Sequence, residues 1–389
     1  MRTKIAKQGS DIMDQADARD TALKAMAQLN RVFVQREQAV ECIWLALLTG
    51  QNFLLVGDPG TAKTALVSAA YSHVDGARSF STLCGSFATE DKMFGPVDIQ
   101  GFKEGRWGRV TKNRLADCEL AFLDEMLKSN DGTLNGMLTA LNERRYEGAP
   151  IPLWTCGAAT NWPEVKSRSD NVAALWDRML LRCHVREVEG QQARMKLLEA
   201  VDAVARYQPE TRLTMEQLAA ARDEIRAVAI DEAVRSSLLE VEERLEKQNI
   251  KNSSRRMGAL QQVLRAKAWL RGGASVTLDD FDVLELGLWN DAAHIEPLSE
   301  ILKTVDQQVV QECINSIVEA VRKCQQCTQV QAMPEAIQHA TDTSTAIKDK
   351  LAKRGARQAG RARIGVEIEK LRTAYLNLKR QVTPHLSAK

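Results

Sequence analysis

At 389 residues, with 44% hydrophobic and 27% charged side chains, the chain has ordinary globular composition and enough length for two or three domains. A formal net charge of +2 argues against wholesale coating by nucleic acid, and no apolar run approaches the roughly 18–20 residues a membrane helix needs. Met1–Ser10 carries basic residues but no apolar core of a secretory signal, and eight cysteines scattered in apolar segments indicate buried thiols rather than a disulfide framework, so a soluble cytoplasmic protein is expected.

Residues 1–20 are polar and expected to be flexible. Residues 21–49 read as helix, with Leu23, Met26, Leu29 and Phe33, then Ala39, Cys42, Ile43, Ala46 and Leu47, at three-to-four spacing, stopped by Gly50. The apolar run Phe53–Val56 has strand length and ends in Gly57-Asp58-Pro59-Gly60, which only a loop accommodates. Thr61, Ala62, Lys63, Thr64 and Ala65 lead into a helical stretch. Strand, glycine loop, Lys-Thr and helix in that order form a phosphate-binding P-loop. Loop and first-turn N–H groups face the phosphates, Lys63 reaches the β/γ-phosphates and the Thr64 hydroxyl holds Mg²⁺. Ala62 stands where the last glycine of the pattern belongs, and its methyl is expected to be compatible with a helical backbone.

Further on, Ala77–Gly85 reads as a strand and Ala88–Val97 as irregular. Val97–Val110, punctuated by Gly101, Gly105 and Gly108, reads as a projecting hairpin. Glu119-Leu-Ala-Phe-Leu-Asp124-Glu125 is a buried strand ending in acids, and Asn130–Arg145 is a helix. Pro152–Ala159 is a strand closing on Thr160-Asn161, residues 171–179 form a short helix, and Leu180–Val188 is the last strand. Five parallel strands separated by helices predict an α/β domain with its ligand at the carboxyl strand ends. After Gly190 the chain is helical throughout: Glu199–Tyr207, Met215–Val228, Asp231–Lys247, Arg255–Leu270, a helix opened by a cap at Thr277-Leu-Asp-Asp280 and running through Trp289, and two long helices over 298–330 and 344–382 separated by Pro334. Residues 348–380 are rich in Lys and Arg, which is a solvated face or a surface for an acidic partner. Cys324 and Cys327 form a C-x-x-C with no second pair nearby, read as two helix-face thiols.

The acids after the second buried strand bear the chemistry. Asp124 is placed beside the P-loop to hold Mg²⁺ through water, and Glu125 to polarise a water for in-line attack on the γ-phosphate. Asn161, at the end of the next strand, is placed to orient the same water. Arg178 and Arg255 suit neutralisation of transition-state charge, although either also reads as a surface ion pair. These residues together indicate an Mg²⁺-dependent nucleoside triphosphatase, and the family likeness that follows implies ATP as its nucleotide.

With these residues assembled, the chain resembles an AAA+ ATPase of the MoxR group, most closely its RavA branch, from about residue 25 to about residue 300. The likeness rests on Gly57–Thr64, Thr89-Glu-Asp-Lys-Met-Phe-Gly-Pro96, Phe122-Leu-Asp-Glu125, Leu134-Asn-Gly-Met-Leu-Thr-Ala-Leu-Asn-Glu-Arg144, Ala158-Ala-Thr-Asn161 with Pro163-Glu164, and Ala174-Leu-Trp-Asp-Arg-Met179. The resemblance implies that Lys63 and Thr64 are Walker A, Asp124 and Glu125 Walker B, and Asn161 sensor 1. It makes Arg178 the arginine finger offered to a neighbouring subunit, with Arg144 and Arg182 behind it, and Arg255 the sensor 2, with Arg256 beside it. It further implies a five-stranded α/β core over 21–190 with a pore-side insert near 97–110, a helical lid over 191–297 and a helical extension over 298–389. A homo-hexameric, chaperone-like remodeller of a protein target, paired with a von Willebrand factor A domain protein, is what such relatives are similar to. The chain departs from the RavA pattern after residue 298, where an all-helical segment stands in place of a β-rich insertion. Two rival readings stand beside this one: a nucleic-acid motor, favoured by the basic segment 348–380, and a nucleotide-gated scaffold with little turnover.

Overall fold

The computed structural model describes residues 18–85, 89–129, 131–162, 170–327 and 332–386. Most of the segment expected to be flexible at the amino end, and the pair Pro163-Glu164, lie outside them. Two compact units emerge: one runs up to Val228 and takes in Ser253–Gly273, the other comprises Ala229–Asn252 and everything from Ala274 onward.

In the first unit, the stretch expected as one helix is two, α1 (18–32) and α2 (Glu37–Thr49). Gln35 interrupts them with a left-handed backbone, φ 54°, a conformation a helix interior cannot absorb. Ten of the thirteen residues of α2 are buried, and Gly50 closes it at φ 68°. Five parallel strands follow: β1 (Phe53–Val56), β2 (Ser79–Leu83), β3 (Leu120–Asp124), β4 (Thr155–Thr160) and β5 (Leu181–His184). Their order across the sheet is β2-β3-β4-β1-β5. The central pair β4 and β1 are buried along their whole length, as parallel strands covered on both faces must be. Register places Val56 beside Thr160 and His184, so β1, β4 and β5 end at one level. Helices α3 (Lys63–Tyr71), α4 (Glu90–Phe94), α5 (Ile99–Lys103), α6 (Asp131–Glu143) and α7 (Asp170–Arg178) connect them, and α8 (Gln191–Ala205), α9 (Met215–Ala227) and α11 (Ser254–Leu270) complete the unit.

The segment expected as a hairpin closes on a single antiparallel bridge, Val97 with Arg109, flanked by Asp98 N–H to Gly108 O and Val110 N–H to Pro96 O. Its tip is the helical turn α5 rather than extended strands, because the Asp98 carboxylate accepts from the Gln100 and Gly101 amides and caps a helix start there. Ile99, Phe102 and Trp107 on this loop are exposed.

The second unit holds α10 (Glu232–Lys247), α12 (Ile295–Thr304), α13 (Gln307–Gln326), α14 (Met333–Arg354) and α15 (Gln358–Leu386). Thr277 and Asp280 cap a helix as expected, with Thr277 N–H donating to Asp280 Oδ2 at 2.8 Å. That helix is a 3₁₀ run, Leu278–Leu286, with Leu278, Phe281, Val283, Leu284 and Leu286 buried. Pro334 does not separate two helices but sits in the first turn of α14, where a missing N–H costs nothing. Helices α13, α14 and α15 pack on Val310, Cys313, Ile317, Ala340, Ile347, Ile364 and Leu371. Cys324 belongs to that core, its Sγ 3.8 Å from Ala336 O. Several of the basic side chains of 348–380 are engaged inside this unit: Lys350 with Glu312, Arg357 with Leu302 O, Arg361 with Ala356 O, Lys370 with Glu367 and Arg372 with Glu369. No helix among the described residues is long and apolar enough to cross a membrane.

His73, fully buried, is committed at both ring nitrogens, Nδ1 to Thr211 O and Nε2 to the Tyr207 hydroxyl, each at 2.6 Å. A carbonyl only accepts, so Nδ1 carries the proton and Nε2 accepts from the phenol. Burial holds the His73 pKa below its ordinary value, partly opposed by the Thr211 carbonyl. The depressed folded pKa means the unfolded chain binds the proton first. This contribution is therefore complete above about pH 6.5 and is lost as pH falls through the folded value. Urea midpoints measured from pH 8 down to pH 5 should decline below about pH 6.5, and more gently in His73→Asn.

Candidate nucleotide site

The loop that leaves β1 is built for close backbone approach. A Cβ on Gly57 would lie 2.2 Å from the Val185 carbonyl oxygen, and Gly60 has φ 85°, so neither position accepts a larger residue without strain. Gly57 N–H donates to Thr160 O at 3.2 Å, tying the loop to the end of β4. Thr61 Oγ1 donates to Asp58 O at 2.8 Å, and buried Arg36 donates through Nε to Thr61 O at 3.2 Å. Lys63 folds back over the loop and donates to Gly57 O and Asp58 O, both at 2.8 Å. Ala65 continues the first turn of α3, whose amino end has no side-chain cap. Its amides and the loop, Pro59 included, form a cradle for an anion at the positive end of a helix dipole.

Ala62 corrects the expectation made for it. Its φ of 62° and ψ of 24° are left-handed, not helical, which is why glycine is the usual residue there. An L-residue in that well costs about 1–2 kcal/mol, small enough for the rest of the loop to hold it.

At the end of β3, Asp124 Oδ2 accepts from Thr64 Oγ1 at 2.7 Å and Asp124 Oδ1 accepts from the Glu125 amide at 3.0 Å. Two hard oxygen donors on one spot beside an anion cradle suit Mg²⁺, which prefers one or two protein oxygens with phosphate and water completing its shell. Glu125 follows with φ 53°, again left-handed, and its Oε1 lies 2.9 Å from Lys128 Nζ. Asn161 continues β4 past Thr160, which pairs with Val56, so it stands at the same strand-end level as the loop. The structure therefore gathers Gly57 to Ala65, Asp124, Glu125 and Asn161 at one edge of the sheet.

Two features here carried no motif. A cavity of about 380 Å³ is lined by Arg36, Gln38, His184, Val185 and Glu187, adjoining the loop through the Arg36–Thr61 bond. Trp162 donates from Nε1 to His184 Nε2 at 3.0 Å, with ring centroids 4.9 Å apart. That bond assigns the His184 proton to Nδ1. Burial and then Arg186 lower the His184 pKa, with Asp58 pulling it upward.

The arginines lie elsewhere. Arg178, at the end of α7, donates from Nη1 to Ala174 O at 2.8 Å, and its Nε is buried without a partner among the described residues. Arg255 donates to Asn142. Buried Arg256 pairs with Asp177 at 3.2 Å; burial lowers its pKa and Asp177 opposes that. These three, with Arg144, Asn52 and Asn142, line a cavity of about 330 Å³ at the amino end of β1. Four strand residues at about 3.3 Å each, roughly 13 Å in all, separate that end from the P-loop. Neither Arg178 nor Arg255 is brought to the phosphate cradle of its own chain. Of the two residues behind Arg178, Arg182 is fully buried under the Trp176 ring, 4.7 Å from its centroid, and Arg144 is spent on internal acceptors.

A five-stranded parallel sheet of order β2-β3-β4-β1-β5, a P-loop after the strand fourth in that order and an acid pair on the strand two places away define a P-loop fold of the AAA+ type. The family described as the MoxR domain in the MoxR-vWA-beta-propeller ternary systems matches residues 20–228, and an AAA lid domain matches residues 233–302. Two uncharacterised proteins of Methanocaldococcus jannaschii are similar: one is 31% identical over 287 residues, 72% of this chain and 74% of its own, the other 28% identical over 298 residues, 75% and 76%. A shorter likeness, 29% over 169 residues, joins 41% of this chain to 27% of a structural protein of Acidianus two-tailed virus. A crystal structure from Cytophaga hutchinsonii shares the fold with a TM-score of 0.60 over 77% of this chain and 98% of its own, at 17% identity. The chain belongs to the MoxR-type AAA+ ATPases.

If Ala62 is held left-handed, Ala62→Gly should leave the melting temperature and nucleotide affinity near wild type. Ala62→Val, whose branched Cβ resists positive φ, should lower stability by about 1–2 kcal/mol and weaken binding. Calorimetry with MgADP titration reads both, and a Val variant as stable as the parent would contradict this backbone assignment.

Proposed function

We propose that this chain is an Mg²⁺-dependent ATPase of the RavA-like branch, working as a homo-hexameric ring that remodels or assembles a protein target alongside a von Willebrand factor A domain partner. The observation that carries the reading is the two-ended use of β1: a phosphate cradle with Thr64 and Asp124 in contact at one end, and an arginine cavity at the other. Arg178 lines that cavity, lies away from its own phosphate cradle and gives up one described side-chain bond on moving, which suits it to the phosphate of a neighbouring copy. The description of the matching family, which names a vWA component, supports the partner. Domain by domain, the reading is a nucleotide-binding core over 21–190 with an insert near 97–110, a lid over 191–297 and an extension over 298–389.

In this mechanism the nucleoside takes the cavity beside Arg36 and the phosphates take the loop. Lys63 exchanges its bonds to Gly57 O and Asp58 O for phosphate oxygens, a charge-assisted replacement of similar geometry. Bound Mg²⁺, held by Thr64 and Asp124, supplies neutralisation of phosphate charge. Glu125 and Asn161 orient the attacking water, whose oxygen bonds to the γ-phosphorus as the bond to ADP breaks. Arg178 of the adjacent copy, supported by Arg255 beside it, meets the charge that develops on the transferring phosphoryl group.

Lys63→Ala should weaken MgADP binding about 10- to 100-fold, the value of one charge-assisted hydrogen bond, whereas Glu125→Gln should keep affinity and lose turnover by about 10²–10⁴. Titration calorimetry and phosphate release separate the two; unchanged affinity in Lys63→Ala would sink the P-loop assignment.

Arg178→Ala should lose turnover by roughly 10³ or more while binding nucleotide normally. Mixed with Glu125→Gln, it should regain activity, because an intact site then meets an intact arginine across the subunit boundary. Activity flat with concentration in a monomer, with no recovery on mixing at any ratio, would remove the shared-site ring.

A further inference from the structure

Asn52 directly precedes β1 and is 4% exposed. Its side-chain amide is saturated. Nδ2 donates to Leu141 O on α6 at 3.1 Å and to Arg178 O at the end of α7 at 3.3 Å. Oδ1 accepts from Arg144 Nη2 at 2.9 Å and from the Cys156 amide on β4 at 3.2 Å. Two carbonyls on one side and two donors on the other leave a single orientation for the amide. Its backbone oxygen also accepts from Leu181 N–H, the first residue of β5, at 3.2 Å. Arg144 extends the network, since the same Nη2 reaches Gly50 O at 3.1 Å and Trp154 O at 3.2 Å. The Asn52 side chain and backbone oxygen, with the Arg144 guanidinium, thus join α2, α6, α7, β4 and β5 to the start of the strand that ends in the P-loop.

We infer that Asn52 and Arg144 are positioning residues: they lock the Arg178 end of α7 to β1, so that the arginine offered to a neighbour is set by the strand carrying the chain's own phosphate loop. This rests on the proposed use of Arg178 across subunits. The geometry favours it over general packing. Of the two carbonyls that Asn52 Nδ2 holds, one is the carbonyl of Arg178 itself. Among the described residues no other side chain donates to it; Arg256 holds the same turn at Trp176 O and Asp177 O, and the Asn52 backbone still holds Leu181 N–H, so losing the amide loosens the Arg178 end of α7 on β1 rather than releasing the helix. Shifting that turn by an ångström moves the guanidinium out of reach of a phosphate while leaving the P-loop untouched.

The test uses the full chain with Asn52→Ala and Arg144→Lys, the second retaining a charged donor, so that one folded variant suffices. MgADP affinity should stay near wild type, turnover should fall roughly tenfold or more for Asn52→Ala as a hydrogen bond is lost, and Arg144→Lys should lose less. Mixing Asn52→Ala with Glu125→Gln should restore turnover, whereas mixing it with Arg178→Ala should not, because both then lack a placed arginine. Wild-type turnover in both variants overturns the inference. So does a loss that Glu125→Gln does not rescue while the control pair Arg178→Ala and Glu125→Gln is rescued. If the control pair itself shows no rescue, the shared-site reading fails and the inference with it.

Discussion

The constraint on which the rest depends is that β1 is buried on both faces and paired on both edges. Phe53 to Val56 are each 0% exposed, with β4 on one side and β5 on the other. A parallel strand so enclosed has no free surface along its length; only its ends reach anything else. At one end the chain must leave sharply, and the glycine loop does so under the Val185 carbonyl. At the other it must enter from a helix, and Asn52 makes that entry a five-way junction. Because the strand is short and rigid, whatever fixes one end limits the other, which gives the two clusters of polar residues a common frame.

Left-handed non-glycine backbone occurs at both ends of this frame, at Arg144 (φ 55°) in the entry cluster and at two residues of the working end. Ala62 and Glu125 both hold left-handed backbones without being glycine, at about 1–2 kcal/mol each. Ala62 is held by the loop bonds on either side: Thr61 to Asp58, Arg36 to Thr61, and the first turn of α3. Glu125 is held by the Asp124 carboxylate that accepts its amide. Ala62 and Glu125 each sit directly beside a group assigned to the chemistry, Lys63 in one case and Asp124 in the other. Conflicts between local preference and adopted backbone belong at sites where the surrounding structure over-determines the conformation.

Much of this was legible in the sequence because it is carried by short-range pattern. Apolar runs of strand length, a loop rich in glycine and an acid pair after four hydrophobic residues specify β1, the P-loop and the end of β3 without reference to anything distant. What was not legible depends on partners far along the chain. The handedness at Ala62 is imposed by the loop as a whole, since alanine alone favours a right-handed helix. The split between α1 and α2 turns on Gln35, which has no sequence mark of a break and bonds through its side chain to Glu189. The 3₁₀ run after Thr277 opens with the same cap as an α-helix, and the spacing of its buried residues, Leu278, Phe281, Val283, Leu284 and Leu286, does not tell the two apart. Arg36 and the Trp162–His184 pair belong to no motif, and their relation to the loop exists only once β4, β1 and β5 are aligned.

The arginines are sorted by how each escapes the cost of desolvation. Burying a guanidinium without partners is prohibitive, so a buried one must find acceptors, a carboxylate or an aromatic face. Arg256 has Asp177; Arg182 has Met179 O and the Trp176 ring; Arg144 has two carbonyls and the Asn52 oxygen. Each is stable where it is, and moving it toward a neighbour would strand its present acceptors. Arg178 is held more lightly: its described side-chain bond is to a carbonyl in its own helix, the fourth residue back, and its Nε, like Arg144 Nη1, is buried without a partner among the described residues. That donor is a standing cost in the isolated chain, of order 1–3 kcal/mol for a buried unsatisfied group. The same cost falls on Arg144 Nη1, so an unpaired buried nitrogen does not by itself mark an arginine as free to act elsewhere. What separates the two is what each gives up on moving: one described side-chain bond for Arg178, three for Arg144.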